Sequence, residues 1–366
     1  MEQSTEKRII EARRSLCQLA ERSGEERRTQ AWIRAFLAEH SDLRVADMGS
    51  WLYAVHDEGA ARTLVVRADH DAVPTAEGAR HLCGHDGHTA ALLGLALLLK
   101  GQRLGKNVIL LFQHAEETGA GAAECCALFA LEGLDRDNAE IIGCHNIPGQ
   151  PLGTVLLRRG AFACASCGVE LRLKGRPAHA AYPENGLNPT AAAARLALEL
   201  PALAARTAEE YGCMALATLV GMRTGARAFG VAASEGALWV TLRAESQAAF
   251  AALNARAEEA AAREAEAQGL SWELERFDVF PATENDPALL ARLEAVCRAA
   301  GLPCRELEHP FRWSEDFGCY GKYLPACFFG LGAGTHTPPL HTAEYVYPDA
   351  LAPLGAELLL RLCREL

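Results

Sequence analysis

Apolar runs interrupted by charged breaks organise the first 145 residues. Residues 7–40 carry a mixed apolar stripe with many charge pairs, a pattern that predicts a helix. A short β-branched run, Thr63–Val66, ends in Arg67-Ala68-Asp69-His70-Asp71. Residues 89–100 (TAALLGLALLLK) are apolar nearly all round, which predicts a largely buried helix. Asn107–Phe112 (NVILLF) predicts a second apolar strand, stopping at Gln113-His114-Ala115-Glu116-Glu117. A helix over 121–132 and a third strand, Ala139–Cys144, follow, and that strand ends at His145. Strands alternating with helices predict a mostly parallel sheet covered on both faces.

The pattern changes near Cys164. Val169–Lys174 alternates as a half-buried strand does, and an alanine-rich helix is predicted over 188–208, with Pro189 at a helix-entry position. Two strands, Met214–Val220 and Ala237–Arg243, precede a long helix over 247–268 and a further strand, Trp272–Phe277. This β-α-β-β-α-β order breaks the earlier alternation. Beyond Pro281 come another helix, the apolar strand Ala326–Leu331 and a final helix after Pro348. At about 150 residues per domain, 366 residues suit two. The expected fold is α/β: a mostly parallel sheet with helices on both faces, built from residues 1–165 and 279–366. A smaller α+β domain, 166–278, is inserted between these two pieces.

Half of the chain is hydrophobic and 23% is charged, which excludes global disorder. A net charge of −11 (36 basic against 47 acidic residues) argues against a nucleic-acid partner. The longest apolar run, Ala90–Leu99, is too short to span a bilayer, and the charged N-terminus lacks the apolar core of a signal peptide. The expectation is a soluble cytoplasmic protein with no membrane or nucleic-acid partner. Most of the thirteen cysteines, such as Cys297 and Cys327, read as small packed hydrophobes. Cys164 and Cys167 have redox-motif spacing but lack the strand-to-helix setting that such motifs use.

Chemistry concentrates where strands stop. Asp69 and Asp71, Glu116 and Glu117, and His145 close three successive strands, and open α/β sheets bind ligands beyond the carboxyl ends of their strands. His81-Leu82-Cys83-Gly84-His85-Asp86-Gly87-His88 adds a thiol and imidazoles in a glycine-bracketed turn, donors suited to zinc and related metals. Adjacent side chains on extended backbone diverge, so one of Glu116 and Glu117 can hold metal while the other faces a bound water. A purely structural reading stays open for that pair as an acidic helix start.

The segments RADHDAVP, HLCGHDGHTA, FQHAEETGAGA, GCHNIPGQPLGTV, GRPAHAAYPENGLNP, SEDF and PLH stand in the order seen in the zinc-dependent aminoacylase and carboxypeptidase superfamily. The chain resembles its amidohydrolase branch, which contains hippurate hydrolase, bacterial N-acyl-amino-acid hydrolases and plant auxin-conjugate hydrolases. The likeness runs from about Arg67 to the end of the chain. It implies Cys83, His85, Glu117, His145 and His341 as ligands of two divalent metal ions, zinc first, with manganese, cobalt or nickel as alternatives. It implies Glu116 as general base and Asp71 as the residue orienting the site. His179 resembles a histidine of the inserted domain that reaches the partner subunit's active site and stabilises the oxyanion. The inserted domain is then also the homodimer interface, and Arg243 matches an arginine that meets a substrate carboxylate.

Other positions carry smaller expectations. Asp86 and His88 read as shaping the turn and capping the helix, His336 as a loop residue, and Ser314-Glu315-Asp316-Phe317 as site wall. His114 stands where relatives commonly have proline, and no role is assigned to it. Gly230 stands where relatives often carry an asparagine that grips substrate. The implied activity is hydrolysis of an N-acyl amino acid or similar small amide. A dipeptidase or carboxypeptidase is the near alternative, and a non-catalytic binding protein the more distant one.

Overall fold

The computed structural model describes residues 1–366 as two compact units. The first comprises Met1–Phe162, Thr283–Pro310 and Glu315–Leu366; the second comprises Ala163–Ala282 and Phe311–Ser314.

An eight-stranded sheet forms the first unit, in the spatial order Arg44–Asp47, Leu52–His56, Asn107–Gln113, Thr63–Asp69, Ala139–Ile147, Ala326–Gly332, Val155–Leu157, Cys304–Glu306. The four central strands run parallel, and antiparallel pairings flank them. Every residue of Thr63–Asp69 is buried, as expected for a strand covered on both faces. One face bears Leu64, Val66 and Ala68 and shares a core with the helix His85–Leu99 and with Ile9, Ile33, Leu293 and Leu359. Leu92, Leu93, Leu95 and Leu99 of that helix are wholly buried, each contributing about 1.5–3 kcal/mol. On the opposite face, a Cβ at Gly143 would collide with Phe317 at 2.8 Å and Phe328 at 2.9 Å, so glycine lets these rings lie on the strand.

The predicted helix over 7–40 is two helices, Gln3–Leu19 and Arg27–His40. Gly24, at φ +84°, turns the chain between them, and Glu26 bonds back to the Gly24 amide. The helix expected over 121–132 is likewise divided, into Gly121–Cys125 and Ala127–Leu131. No helix is long and apolar enough to cross a membrane.

The second unit is a four-stranded antiparallel sheet, ordered Ala215–Thr224, Glu235–Ala244, Ala165–Lys174, Ser271–Phe280. With the helices Thr190–Tyr211 and Gln247–Ala267 it follows the β-α-β-β-α-β order read from the sequence. Val169, Leu171 and Leu173 face those helices in one core, while Arg172 and Lys174 point to solvent. Ser246 caps the second helix by accepting the Ala249 N–H at 3.2 Å.

Candidate metal centre

The carboxyl ends of three parallel strands converge on the turn that starts the buried helix. Gly84, at φ +97°, makes the turn; a Cβ there would lie 2.4 Å from Asn146 Oδ1. Cys83 thereby meets His145 directly, its Sγ 3.3 Å from His145 Nε2, with the His85 ring 6.1 Å from that of His145 between centroids. His145 Nδ1 lies 2.8 Å from the Asn146 carbonyl oxygen, which only accepts. The ring proton therefore sits on Nδ1, and the Nε2 lone pair faces the cluster. His85 is held in the same way: its Nδ1 lies 2.8 Å from Asp71 Oδ1, turning Nε2 inward.

His85 Nε2 is buried with no hydrogen-bond partner, and so is Glu117 Oε1, 3.9 Å away. His341 Nε2 lies 3.7 Å from the same oxygen. Donor atoms of Cys83, His85 and His145 all lie within 4.8 Å of one another, as do those of Cys83, Glu117 and His341, and of His85, Glu116 and Glu117. Cys83 and His85 each belong to two of these three sets. Orphaned buried atoms in a thiol, imidazole and carboxylate set are what a borderline divalent metal requires. Asp69, His85 and His88 also cluster, but Asp69 is already committed to Arg67 and His88.

The local charges point the same way. Burial pushes Cys83 well above the usual thiol range, helped by the Glu117 charge. Burial pushes Glu117 up to about 7 and Glu116 well above the carboxylate range, Glu315 and Asp316 adding to the latter. Burial alone would lower His85, but Asp69, Cys83 and Asp71 outweigh it and hold the imidazole well above its ordinary value. His145 is driven well below, by burial and then by His88. Cations in the centre relieve this crowding of buried acids and a thiol.

The surrounding residues fix these positions. Asp71 Oδ2 accepts the Glu117 N–H at 2.9 Å. Ala115 takes φ +50° and His341 φ +61°, left-handed conformations costing a non-glycine residue roughly 1–2 kcal/mol. Gly121 packs so tightly that a Cβ would sit 1.6 Å from the His114 carbonyl oxygen. Beneath the glutamates, buried Arg67 donates to Gln113 at 2.6 Å, Asp69 at 2.7 Å, Glu315 at 2.9 Å and Asp316 at 2.8 Å. The segment read as site wall is therefore partly a charge network, and Arg67 and Gln113 are members that sequence reasoning passed over. A lone arginine closing an apolar strand was the available signal.

Two smaller expectations are corrected. Asp86 does not cap the helix: Gly84 is the N-cap, and Asp86 lies 3.4 Å from Arg13. His88 braces the strand ends instead, between Asp69 Oδ1 at 2.6 Å and Asn146 Oδ1 at 2.5 Å. His114 is buried, with Nε2 3.1 Å from Glu124, and His336 lies exposed on its loop. Burial pushes Cys164 and Cys167 up to about 11, so neither is a ready thiolate at neutral pH.

His179 and Arg243 belong to the second unit. His179 is exposed on a short strand paired with Val231 and Ala232. The Ala181 N–H donates to its Nδ1 at 3.1 Å, which places the ring proton on Nε2, as a donor. Arg243 Nη1 donates to the Arg312 carbonyl and, at 2.7 Å, to Ser314 Oγ. Gly230 accepts the Ala180 N–H at 3.0 Å, and a Cβ there would meet no atom within 4 Å.

The chain is 31% identical to an N-acetyl-L-cysteine deacetylase of Bacillus subtilis over 347 residues, covering 90% of this chain and 82% of the relative. It is 30% identical to IAA-amino acid hydrolase ILR1-like 4 of Arabidopsis thaliana, covering 82% of this chain and 72% of that one. Its fold matches the crystal structure of a dinuclear metal-binding peptidase of Bacillus subtilis with a TM-score of 0.83 at 24% identity, over 99% and 98% of the two chains. Residues 65–365 match the model of Peptidase family M20/M25/M40, and the chain belongs to that family.

Proposed function

We propose that this metal-dependent amidohydrolase cleaves the amide bond of an N-acyl amino acid, releasing a carboxylate and an amine. The observation that carries the reading is the pair of orphaned donors, His85 Nε2 and Glu117 Oε1, buried beside Glu116. Relatives named N-acetyl-L-cysteine deacetylase and IAA-amino acid hydrolase support the substrate class.

Cys83, His85, Glu117, His145 and His341 would hold two divalent cations. The thiol favours zinc; manganese, cobalt and nickel are the alternatives. Such cations, when bound, polarise the scissile carbonyl and acidify a water molecule. Glu116 accepts the proton of the attacking water and returns it to the leaving amine nitrogen. Asp71 fixes the His85 tautomer and the Glu117 backbone at once. In a homodimer formed through the second unit, His179 Nε2–H donates to the oxyanion in the partner subunit's site. Arg243 meets the substrate carboxylate with the guanidinium N–H groups that Arg312 and Ser314 do not occupy. The protein works in the cytoplasm.

The test is Glu116→Ala, assayed on a panel of N-acyl amino acids and dipeptides together with elemental analysis. Metal content stays near wild type while turnover falls by about 10²–10⁴-fold. Retained turnover removes Glu116 as the base, and preferential cleavage of dipeptides moves the substrate assignment to peptides.

A further inference from the structure

The turn between the first two helices, Ala20–Glu26, touches the backbone of both loops that carry the candidate acids. The Glu21 carbonyl accepts the Ala72 N–H at 3.0 Å, directly after Asp71. Glu26, only 4% exposed, places Oε1 2.9 Å from the Ala115 N and 2.7 Å from the Gly24 N. Ala115 immediately precedes Glu116 and Glu117 and holds the left-handed φ of +50°. Its carbonyl oxygen accepts from Ala120 N at 3.2 Å, Gly121 N at 3.1 Å and Thr118 Oγ1 at 3.3 Å.

A strained residue persists only where its surroundings over-determine it. The carbonyl side of Ala115 is bound by its own loop, and its N–H side is bound by Glu26 alone among the hydrogen bonds of that segment. Removing that acceptor leaves a buried N–H unpaired and lets φ relax to negative values. Because φ of Ala115 sets the direction of the chain that follows, the relaxation re-aims both glutamates.

We propose that Glu26 is a positioning residue for the Glu116–Glu117 pair, acting through the Ala115 amide. This rests on the assignment of Glu116 as base and Glu117 as ligand. The role requires an acceptor at the right reach rather than a negative charge, so Gln and Asp substitutions separate the two. Gln keeps an oxygen in place, whereas Asp keeps the charge one methylene short.

The test compares Glu26→Gln, Glu26→Asp and Glu26→Ala with wild type. Zinc affinity is measured by competition with a chromogenic chelator, and kcat and KM on the preferred N-acyl amino acid. Glu26→Ala and Glu26→Asp lower zinc affinity and kcat by about 10–100-fold, the range for partners that orient a ligand, and leave KM within about threefold. Glu26→Gln stays within about threefold of wild type in all three. Wild-type zinc affinity in Glu26→Ala, or equal impairment of Glu26→Gln and Glu26→Ala, overturns the proposal. Should Glu26→Ala fail to fold, Glu26→Asp against Glu26→Gln decides between the same two outcomes. The chelator competition involves no substrate, so it judges Glu26 even where the substrate assignment fails.

Discussion

Replacing Arg67 by methionine removes the guanidinium that pairs with three buried carboxylates while keeping most of the side-chain volume. Arg67 and Asp69 are 3% and 0% exposed, and Glu315 and Asp316 are 1% and 0%. Four hydrogen bonds are lost, three of them to carboxylates, and a charge-assisted bond is worth about 1.5–3 kcal/mol. Their sum overstates the loss, because Asp69 keeps His88, and Asp316 keeps Gln113 and the Ala122 N–H. Breaking a buried pair from one side costs about 3–5 kcal/mol, and that is the expected destabilisation. It is a large part of a typical total of about 5–15 kcal/mol.

The pH dependence gives this prediction its sharper form. In wild type, burial raises Asp69, but His85, Arg67 and His88 outweigh it and hold the carboxylate well below its ordinary range. A carboxylate so depressed stabilises the fold above its unfolded value and loses that contribution in acid. Burial already holds Asp316 well above its ordinary range despite Arg67. Without Arg67 it rises further and Asp69 loses one of the charges holding it down, so the variant loses more stability than wild type as pH rises. The deficit of Arg67→Met is therefore larger at pH 8 than at pH 5. Urea unfolding at both values, in chelator so that metal loss adds nothing, measures it. A deficit below about 1 kcal/mol, or an equal one at both pH values, refutes the reasoning.

Further expectations concern the same loops. Gly121→Ala forces a Cβ to 1.6 Å from the His114 carbonyl, so the loop behind Glu116 must shift. A stability loss of about 1–3 kcal/mol is expected, together with reduced turnover, read from urea unfolding and an amide-hydrolysis assay. Burial raises the Glu26 carboxyl to about 7, outweighing the N–H groups of Ala115 and Gly24. A raised carboxyl stabilises below its unfolded value and loses that contribution as pH climbs through 7. Glu26→Gln therefore gains on wild type by about 1–3 kcal/mol between pH 5 and pH 8, and a gap independent of pH contradicts this. With Cys83 pushed up by burial and Glu117 at about 7, both carry protons near neutrality in the absence of metal. Zinc uptake at pH 7 then releases protons, visible as calorimetric heats that change with the buffer's ionisation enthalpy; identical heats in two buffers count against it.

Much of the candidate site was legible because it is local. Asp69 and Asp71, Glu116 and Glu117, and His145 each close an apolar strand, and such ends converge wherever the strands are parallel neighbours. Cys83 and His85 share one glycine turn, which spacing alone reveals. The antiparallel α+β order of residues 165–280 followed from period-two alternation and two alanine-rich helices. The ligand set itself, and His341 above all, rested on family resemblance rather than on any periodicity.

Tertiary structure decided the rest, because long-range hydrogen bonds leave no periodic trace. Residues 7–40 carry a continuous helical stripe, yet Gly24 breaks it, and the break delivers Glu26 to an amide 89 positions away. Charge type could not foretell that Arg67 serves Glu315 and Asp316, 248 and 249 positions distant. Nor could it show that Asp86 pairs with Arg13 instead of capping its helix. Composition and pattern determined the elements, their order and the chemistry at the strand ends. Which lone pairs stay unpaired, and so which atoms await a cation, is settled only once folding has matched every other donor with an acceptor.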